Sequence, residues 1–570
     1  MCGLPHSWPN LGEDVMECEK PKGDEAAAIQ RWKRFLVVAL PGLLALGLAV
    51  VFFVGNIGSD DVGYAELAHA LATGVPPPSN LGHHVSRVGL TVPLALIFSA
   101  FGISDWSLAL LPLACTVATT VLISQLVLHL YGARSALLAG GLYAIFPPTI
   151  YLATSYLPEP VAIFALTVAS TLFLRAAGRC TWYFSAGLLV GVAYLTTEAG
   201  VLMLGVMGIW VLLRRKMTVE HLWVPAGALI VFAGELLGHA LVHGDPLYRF
   251  STGRYLTDPM LVAQNAELGY RLLKSYPAYF IFLNPNFGAM GPLVLAGGLY
   301  GLVRFRQYGF FVVWAAVLLA FYNFMPVKLS PYTVLPADAR LITPACLPLI
   351  VLAGIMLADV LGWAFGAGRF WRYALSSGVL ALLCVVATVS TITVDFFQKR
   401  PGKTALMASN ARLAAQSVGQ EKSIRLASDP TSARHFRFYR GFNQADVYLR
   451  LEDFDGPDRI VLGQPEVAPT YVLLNMPALY EQELTGTTWR SSTRTDDVYR
   501  LMDEVHTRCA LVLSLRHEPS VPLADRVFGS GWTEAMLQVA RPLARLPEYI
   551  GADMFRCEGR SDHGLAIRDH

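Results

Sequence analysis

The chain has 570 residues, of which 54% are hydrophobic and only 15% charged, with a mean hydropathy of +0.46. A water-soluble protein of that length carries about a quarter charged residues, so a wholly soluble protein is excluded. A formal net charge of +2 argues for neither a nucleic-acid nor an acidic partner.

The apolar residues are clumped, and the clumps predict membrane-spanning helices. Residues 1–34 are polar and of mixed charge, a cytoplasmic N-terminal segment. Behind them, Phe35–Gly55 is close to the ~20 residues that cross a bilayer. Its long polar leader reads as that of a retained first span, since a cleavable signal peptide has a shorter leader and a shorter apolar region. Further apolar runs follow at about 88–103, 106–129, 134–152, 156–174, 182–197, 199–213, 222–242, 289–303, 308–326, 341–363 and 373–394.

The basic clusters "RWKR" (31–34), "RRK" (214–216), "RFR" (304–306) and "GRFWR" (368–372) belong in the cytoplasm by the positive-inside rule. Loops 56–87, 243–288 and 327–340, and everything after 395, are then external. "QKRPGK" (398–403) opposes the last of these assignments and is outvoted by the other four clusters. Between the external points on either side of 88–152, parity permits two crossings although three apolar runs are present. The first run is short and holds Pro93, so it is either interfacial or re-entrant, or the segmentation is wrong. The expectation is about eleven spans, with about twelve or thirteen as the alternatives.

From residue 396 to 570 the composition is that of a small soluble α/β domain. "SIRLASD", "DRIVLG", "TYVLLN" and "ALVLSL" read as short buried strands, and "PALYEQEL" and "TEAMLQVARPLARL" as helices. There is no Gly-rich phosphate loop and no nucleophile elbow. Cys115, Cys346 and Cys384 read as small core residues. Cys509 and Cys557 can pair if this region is extracytoplasmic, and the sequence leaves that open.

Two acidic features stand out. In "SDDVGYAELAHALATG" (59–74), Tyr64, Leu67, Ala68 and Leu71 share one helical face, Ser59 or Asp60 can cap the start, and Gly74 stops the helix. Asp60 and Asp61 therefore have a plain structural reading as helix-start acids. They also have a chemical one, because a carboxylate at a helix N-terminus on the membrane face is available as a general base. In "SYLPEPVAIF", Glu159 lies between two prolines at the outer start of a span. Ionisable residues at membrane depth are costly and usually functional, although Glu159 can also be a helix-start residue with Pro160 in the first turn. Parity sets Glu159 on the same face as Asp60 and Asp61.

The order of these pieces resembles the C-type glycosyltransferase (GT-C) superfamily, and more closely its branch of protein O-mannosyltransferases and lipid A aminoarabinose transferases. The resemblance rests on Asp60-Asp61 with "GYAELAHALATG", on "SRVGLTVPLAL" (86–96), and on the block 130–176 with its acidic residue after Leu-Pro. "GVAYLTTEAGVLML" (191–204), "HGDPLYRF" (243–250) and "ARLITPACLPLIVLAG" (339–354) are also family-like. Asp61 replaces the commoner Glu, Glu159 stands where Asp is frequent, and "LTTEAG" lacks the lysine often found before its glutamate. The double-tryptophan acceptor motif of oligosaccharyltransferases is absent, as is a β-trefoil-like insert.

The resemblance implies a polytopic α-helical GT-C domain over 35–395, followed by the small α/β domain of 396–570. It implies inverting transfer of a sugar from a polyprenyl-phosphate donor to a lipid, glycan or protein hydroxyl on the extracytoplasmic face of a bacterial plasma membrane. Asp60 matches the catalytic base, with Asp61 and Glu159 orienting the acceptor, tuning Asp60 or holding a divalent cation. The leaving phosphate needs positive charge. His83, His84 and Arg87 in "GHHVSRVG", and Lys328 and Arg340 in "VKLSPYTVLPADARLITP", supply candidates, with Tyr64 as a further substrate contact. The histidines read equally as an interfacial polar pair, and each arginine also as an interface anchor. The competing class is a transporter or flippase of a lipid-linked sugar. It predicts broken helices at the midplane and repeated halves, whereas here the acids lie at span ends and the halves do not resemble each other.

Overall fold

The computed structural model describes residues 24–75, 82–252, 287–324, 326–329, 332–334, 340–366, 369–399, 404–419, 421–450, 469–475, 505–507, 509–517 and 550–557. Most of loop 243–288 and the segments "DRIVLG", "PALYEQEL" and "TEAMLQVARPLARL" lie outside the described residues.

The protein is a polytopic α-helical membrane protein. Its helices are α1 (Asp24–Val51), α2 (Asp60–Thr73), α3 (Val88–Phe101), α4 (Asp105–Tyr131), α5 (Ala133–Ala144), α6 (Pro147–Leu152), α7 (Pro158–Arg175), α8 (Cys180–Thr196), α9 (Leu202–Arg214) and α10 (Trp223–His243). They continue with α11 (Tyr248–Thr252), α12 (Met290–Val303), α13 (Phe305–Phe324), α14 (Thr343–Gly366), α15 (Arg369–Lys399), α16 (Thr404–Ser417) and α17 (Pro430–Tyr439). Among the described residues, 7 helices are long and apolar enough to cross a membrane, and Val88–Phe101, Cys180–Thr196 and Met290–Val303 are shorter apolar helices. The first span ends at Val51, a little before the expected Gly55. The run 134–152 is split into α5 and α6, because Pro147 and Pro148 cannot extend α5 but suit the first turn of a new helix.

The structure resolves the crowded region 88–152. The Asn56 N–H, just past α1, donates to the Asp105 carboxylate at the start of α4 over 3.1 Å. The chain thus leaves α1 and enters α4 on the same side of the membrane. The intervening α3 has 14 residues, about 21 Å of helix against a hydrocarbon core of about 30 Å. α3 is therefore too short to cross, whereas α4 is long and apolar enough to do so.

The chain divides into two compact units. The first comprises Met1–Phe53, Pro78–Leu94 and Ala109–Val394. Its helices pack through small residues, as in membranes where close backbone approach replaces the hydrophobic drive. A methyl group at Gly187 of α8 would collide with the Val224 carbonyl of α10, and one at Gly227 with the Phe184 carbonyl. Cys115 and Cys346 are buried here as expected, whereas Cys384 is exposed and is not a core residue. The short hairpin β1 (Pro326–Leu329) and β2 (Tyr332–Val334) precedes α14.

The second unit comprises Val54–Pro77, Ala95–Leu108 and Asp395–His570. Its sheet contains β3 (Arg425–Ser428), β4 (Val447–Arg450), β5 (Thr470–Asn475), β6 (Ala510–His517) and β7 (Ile550–Cys557), in the order β4-β3-β5-β7-β6. β3 is parallel to β4 and β5, and β7 is antiparallel to β5 and β6. The central strand β5 is buried on both faces: Tyr471 and Leu473 pack with α16, and Val472 and Leu474 pack with Phe555. That is why "TYVLLN" reads as a continuous apolar run. "ALVLSL" does form β6, but Leu511 and Val512 are exposed, so it is not the buried strand expected. Cys509 and Cys557 form a disulfide.

Candidate functional site

The acidic pair belongs to the second unit. After α1 the chain makes a tight turn over 55–59. Gly58 adopts φ +66°, the left-handed region that suits glycine. The Asn56 side-chain oxygen accepts from the Gly58 N–H at 2.8 Å. Asp61 reaches back over the same turn: one carboxylate oxygen accepts from the Ile57 N–H at 2.6 Å and the other from the Ser59 N–H at 2.7 Å. Ser59 occupies the N-cap position of α2 without a side-chain cap bond, and Asp60 is the first residue of the helix rather than its N-cap. Gly74 does end the helix, in the left-handed conformation.

The two aspartates therefore have different environments. Asp61 is fully buried, while Asp60 is half-buried as the first residue of α2. Burial raises the Asp61 carboxyl from the ordinary range to about 6, against the lowering pull of the Ile57 and Ser59 N–H groups and with a further push from the Asp60 charge. Because the folded protein binds that proton more tightly than the unfolded chain does, Asp61 contributes most to stability at low pH and less as pH rises through about 6. Thermal unfolding of the wild type and Asp61→Asn checks this. The melting-temperature advantage of the wild type is expected to shrink as pH is raised from about 4 to about 7.

Helix α2 is buried nearly all round rather than along one face. Val62, Tyr64, Ala65, Glu66, Leu67 and Ala68 are buried, and Leu71, expected on the buried face, is exposed. Tyr64, the further substrate contact expected from the resemblance, is fully buried on this helix.

In the first unit, the N-terminal ends of two helices are tied together. The Tyr156 hydroxyl, just before α7, donates to the Leu90 carbonyl in the first turn of α3 at 2.6 Å. Glu159 is buried in the first turn of α7 behind Pro158, and Arg340, in the turn before α14, lies 3.6 Å from its carboxylate. The structure thus brings together Glu159 and Arg340, which are far apart in sequence. Arg87, in the same unit, lies 3.6 Å from the Glu198 carboxylate. His84 is half-buried in the 3-10 turn Gly82–Ser86. His83 shares that turn and Lys328 lies in β1, but both side chains are outside the described residues.

Sequence reasoning did not single out Arg249. Its position follows from the "HGDPLYRF" stretch, where Gly244 ends α10 in the left-handed conformation and Asp245 accepts from the Leu247 N–H at 2.8 Å. That turn leads into α11, stacks Tyr248 on His243 at 3.8 Å, and carries Arg249 back over α10. The buried guanidinium donates to Glu235 at 2.8 Å, to Glu198 at 3.0 Å and to the Ser86 carbonyl at 2.7 Å, and covers the Tyr194 ring at 4.5 Å. Glu198 sits on a tight turn at the end of α8, where a methyl at Gly200 would strike the Ala193 backbone. Partial burial pushes the Glu198 carboxyl up, but Arg87 and Arg249 outweigh it and hold the group below the usual glutamate range. Glu198 thus bridges the two arginines. Among the described residues no three His, Cys, Asp or Glu side chains gather to hold a metal ion.

The sequence model of a family described as dolichyl-phosphate-mannose-protein mannosyltransferase matches residues 92–236. A search of curated proteins returns no match. ArnT from Cupriavidus metallidurans in the apo state shares the fold with a TM-score of 0.52 at 16% identity, covering 80% of this chain and 95% of ArnT. The same protein bound to undecaprenyl phosphate gives 0.51 at 17% identity, covering 79% and 94%. The Archaeoglobus fulgidus oligosaccharyltransferase in complex with Zn and sulfate gives 0.53 at 12% identity, covering 85% of this chain and 72% of that one. Over residues 92–236 the chain is similar to that family, and over most of its length it shares the fold of these solved structures.

Proposed function

We propose that this protein transfers a sugar from a polyprenyl-phosphate donor to an acceptor hydroxyl on the extracytoplasmic face, with inversion at C1 and Asp60 as general base. The observation that carries the reading is the division within the acidic pair. Asp61 spends both carboxylate oxygens on the turn before α2, whereas Asp60 begins the helix, where the macrodipole favours an anionic carboxylate. Asp60 takes the proton of the acceptor hydroxyl as its oxygen bonds to C1. The bond from C1 to the phosphate oxygen breaks with its electron pair, and polyprenyl phosphate leaves.

Arg340 and Arg87 are the cations proposed for that leaving phosphate, since a guanidinium presents a planar fork of five donors that can serve a carboxylate and a phosphate together. Glu159 orients Arg340 and Glu198 orients Arg87. In support of the carrier, the ArnT structure with the same fold holds undecaprenyl phosphate. In support of the external face, the four basic clusters favour it and the Cys509–Cys557 disulfide suits an oxidising compartment. In a bacterium that compartment adjoins the plasma membrane.

The test is reconstitution in vesicles with a radiolabelled polyprenyl-phosphate sugar. Acceptor-dependent movement of label, with release of polyprenyl phosphate, is expected. An intact donor combined with a solute crossing the vesicles would establish the transporter instead.

A further inference from the structure

We infer that α17 is a positioning helix for the acidic pair: the C-terminal sheet region holds the Asp60–Asp61 turn in place through His435, Arg437 and Tyr439. The inference rests on the reading of Asp60 as the base, and it assigns the sheet region a part in that reaction.

α17 is itself rigidly mounted. Asp429 accepts from the Ser432 N–H at 2.9 Å as its N-cap, and Pro430 occupies the first turn. At the end of β3, the Ser428 hydroxyl donates to the Leu473 carbonyl on β5 at 3.1 Å. Phe436 and Phe438 are fully buried and fix the helix.

From that base three side chains, two residues apart, meet the loop that carries the acids. The fully buried His435 ring presses on Gly58, where any added Cβ would overlap it. Gly58 lies between Ile57 and Ser59, the two residues whose N–H groups Asp61 holds. Burial keeps the ring neutral, its pKa lowered to about 3. Arg437 forms a hydrogen-bonded ion pair with Glu66 of α2, and its guanidinium lies 5.3 Å from the Tyr448 ring. The Tyr439 hydroxyl lies 3.3 Å from both carboxylate oxygens of Asp105, which also accepts the Asn56 N–H. Just beyond the helix, Phe442 stacks on His69 with ring centroids 5.7 Å apart. Residues 56, 58, 66 and 69 are thus held from one side, around the turn that sets Asp60.

The glycine is as informative as the ion pair. A residue with a side chain at position 58 would need both an unfavourable φ and a displaced His435. The turn and the helix are therefore fitted to each other at the backbone, two residues from the proposed base.

The experiment compares Glu66→Arg, Arg437→Glu and the exchanged double variant in the full-length reconstituted protein. Tyr439→Phe is included as a variant that removes only a hydroxyl. Each single reversal is expected to lower kcat about 10- to 100-fold, the size of effect that a small misplacement of a reacting group produces. The KM for the polyprenyl-phosphate sugar should stay constant, and the exchanged pair should recover most of the rate. Hydrogen exchange of the amides at 57–62 provides a readout independent of activity: protection should fall in each single variant and return in the double. Tyr439→Phe should show a smaller change in the same direction. Unchanged exchange at 57–62 in Arg437→Glu and Tyr439→Phe overturns the inference. So does a rate loss explained wholly by a smaller folded fraction. Retained transfer in Asp60→Asn defeats the base assignment instead, and the exchange data then still decide whether α17 holds the turn.

Discussion

Asp60→Asn is expected to abolish sugar transfer while leaving the protein folded, inserted in the membrane and able to bind the lipid-linked donor. Asparagine keeps the size of the side chain but cannot take the acceptor proton. A positioned general base contributes about 10²- to 10⁴-fold, so residual transfer should be no more than about 1% of wild type. Donor binding should survive, because the proposed phosphate contacts come from Arg87 and Arg340. Asp60→Glu should fall between the two, since it retains a base but moves it by one methylene.

Asp61→Asn provides the contrast. Its carboxylate is buried and accepts two backbone N–H groups, and an asparagine has one carbonyl oxygen for the two donors. That variant should therefore lose stability of the turn, and lose activity only as the turn loosens. A retained rate in Asp60→Asn would remove the base assignment. A rate loss in Asp61→Asn without any structural loosening would transfer that role to Asp61.

The division between the two aspartates was not legible in the sequence. An acidic pair at a helix start suggests that Asp60 can cap, and leaves the partner of Asp61 unstated. Asp61 takes the backbone donors because the chain turns over Asn56–Ser59 before the helix begins, and the Ile57 and Ser59 N–H groups point at it. Helix positions, by contrast, were legible nearly throughout, since membrane spans are written in long apolar runs that admit few alternatives. Parity already marked 88–152 as one run too many. The short first run with Pro93 was already the suspect, and the contact between Asn56 and Asp105 sets the start of α4 beside the end of α1.

The sheet region was less legible. β4 is a four-residue strand, and β7 opens with Ile-Gly-Ala-Asp, where Gly551 and Asp553 interrupt the continuous apolar run that marks β5. Asp553 is tolerated there because Ser514 on the neighbouring strand donates to it at 2.8 Å. Arg249 was invisible for a different reason. It lies in a stretch that reads as family-like, but its carboxylate partners Glu235 and Glu198 are 14 and 51 residues away. No local spacing rule connects them.

Arg249→Ala is expected to be strongly destabilising to the first unit. The Arg249 side chain is 3% exposed and that of Glu235 2%, so removing the guanidinium leaves a buried carboxylate without its principal counter-charge. Breaking such a pair costs about 3–5 kcal/mol, mostly through the stranded partner rather than through the lost attraction. Glu198, half-exposed, can recruit water, so Glu235 carries most of that cost. This partition is testable with a second substitution. Arg249→Met combined with Glu235→Leu should be more stable than Arg249→Met alone, because the pair of apolar residues leaves no buried charge. The double variant should nevertheless transfer sugar poorly. Without Arg249, Glu198 loses the partner that fixes it 3.6 Å from Arg87, and the Ser86 carbonyl beside Arg87 loses its donor. Thermal stability and turnover measured on the same preparations separate these effects. Recovery of the melting temperature without recovery of the rate assigns Arg249 to the positioning of Arg87. Recovery of both would reduce it to a purely structural ion pair.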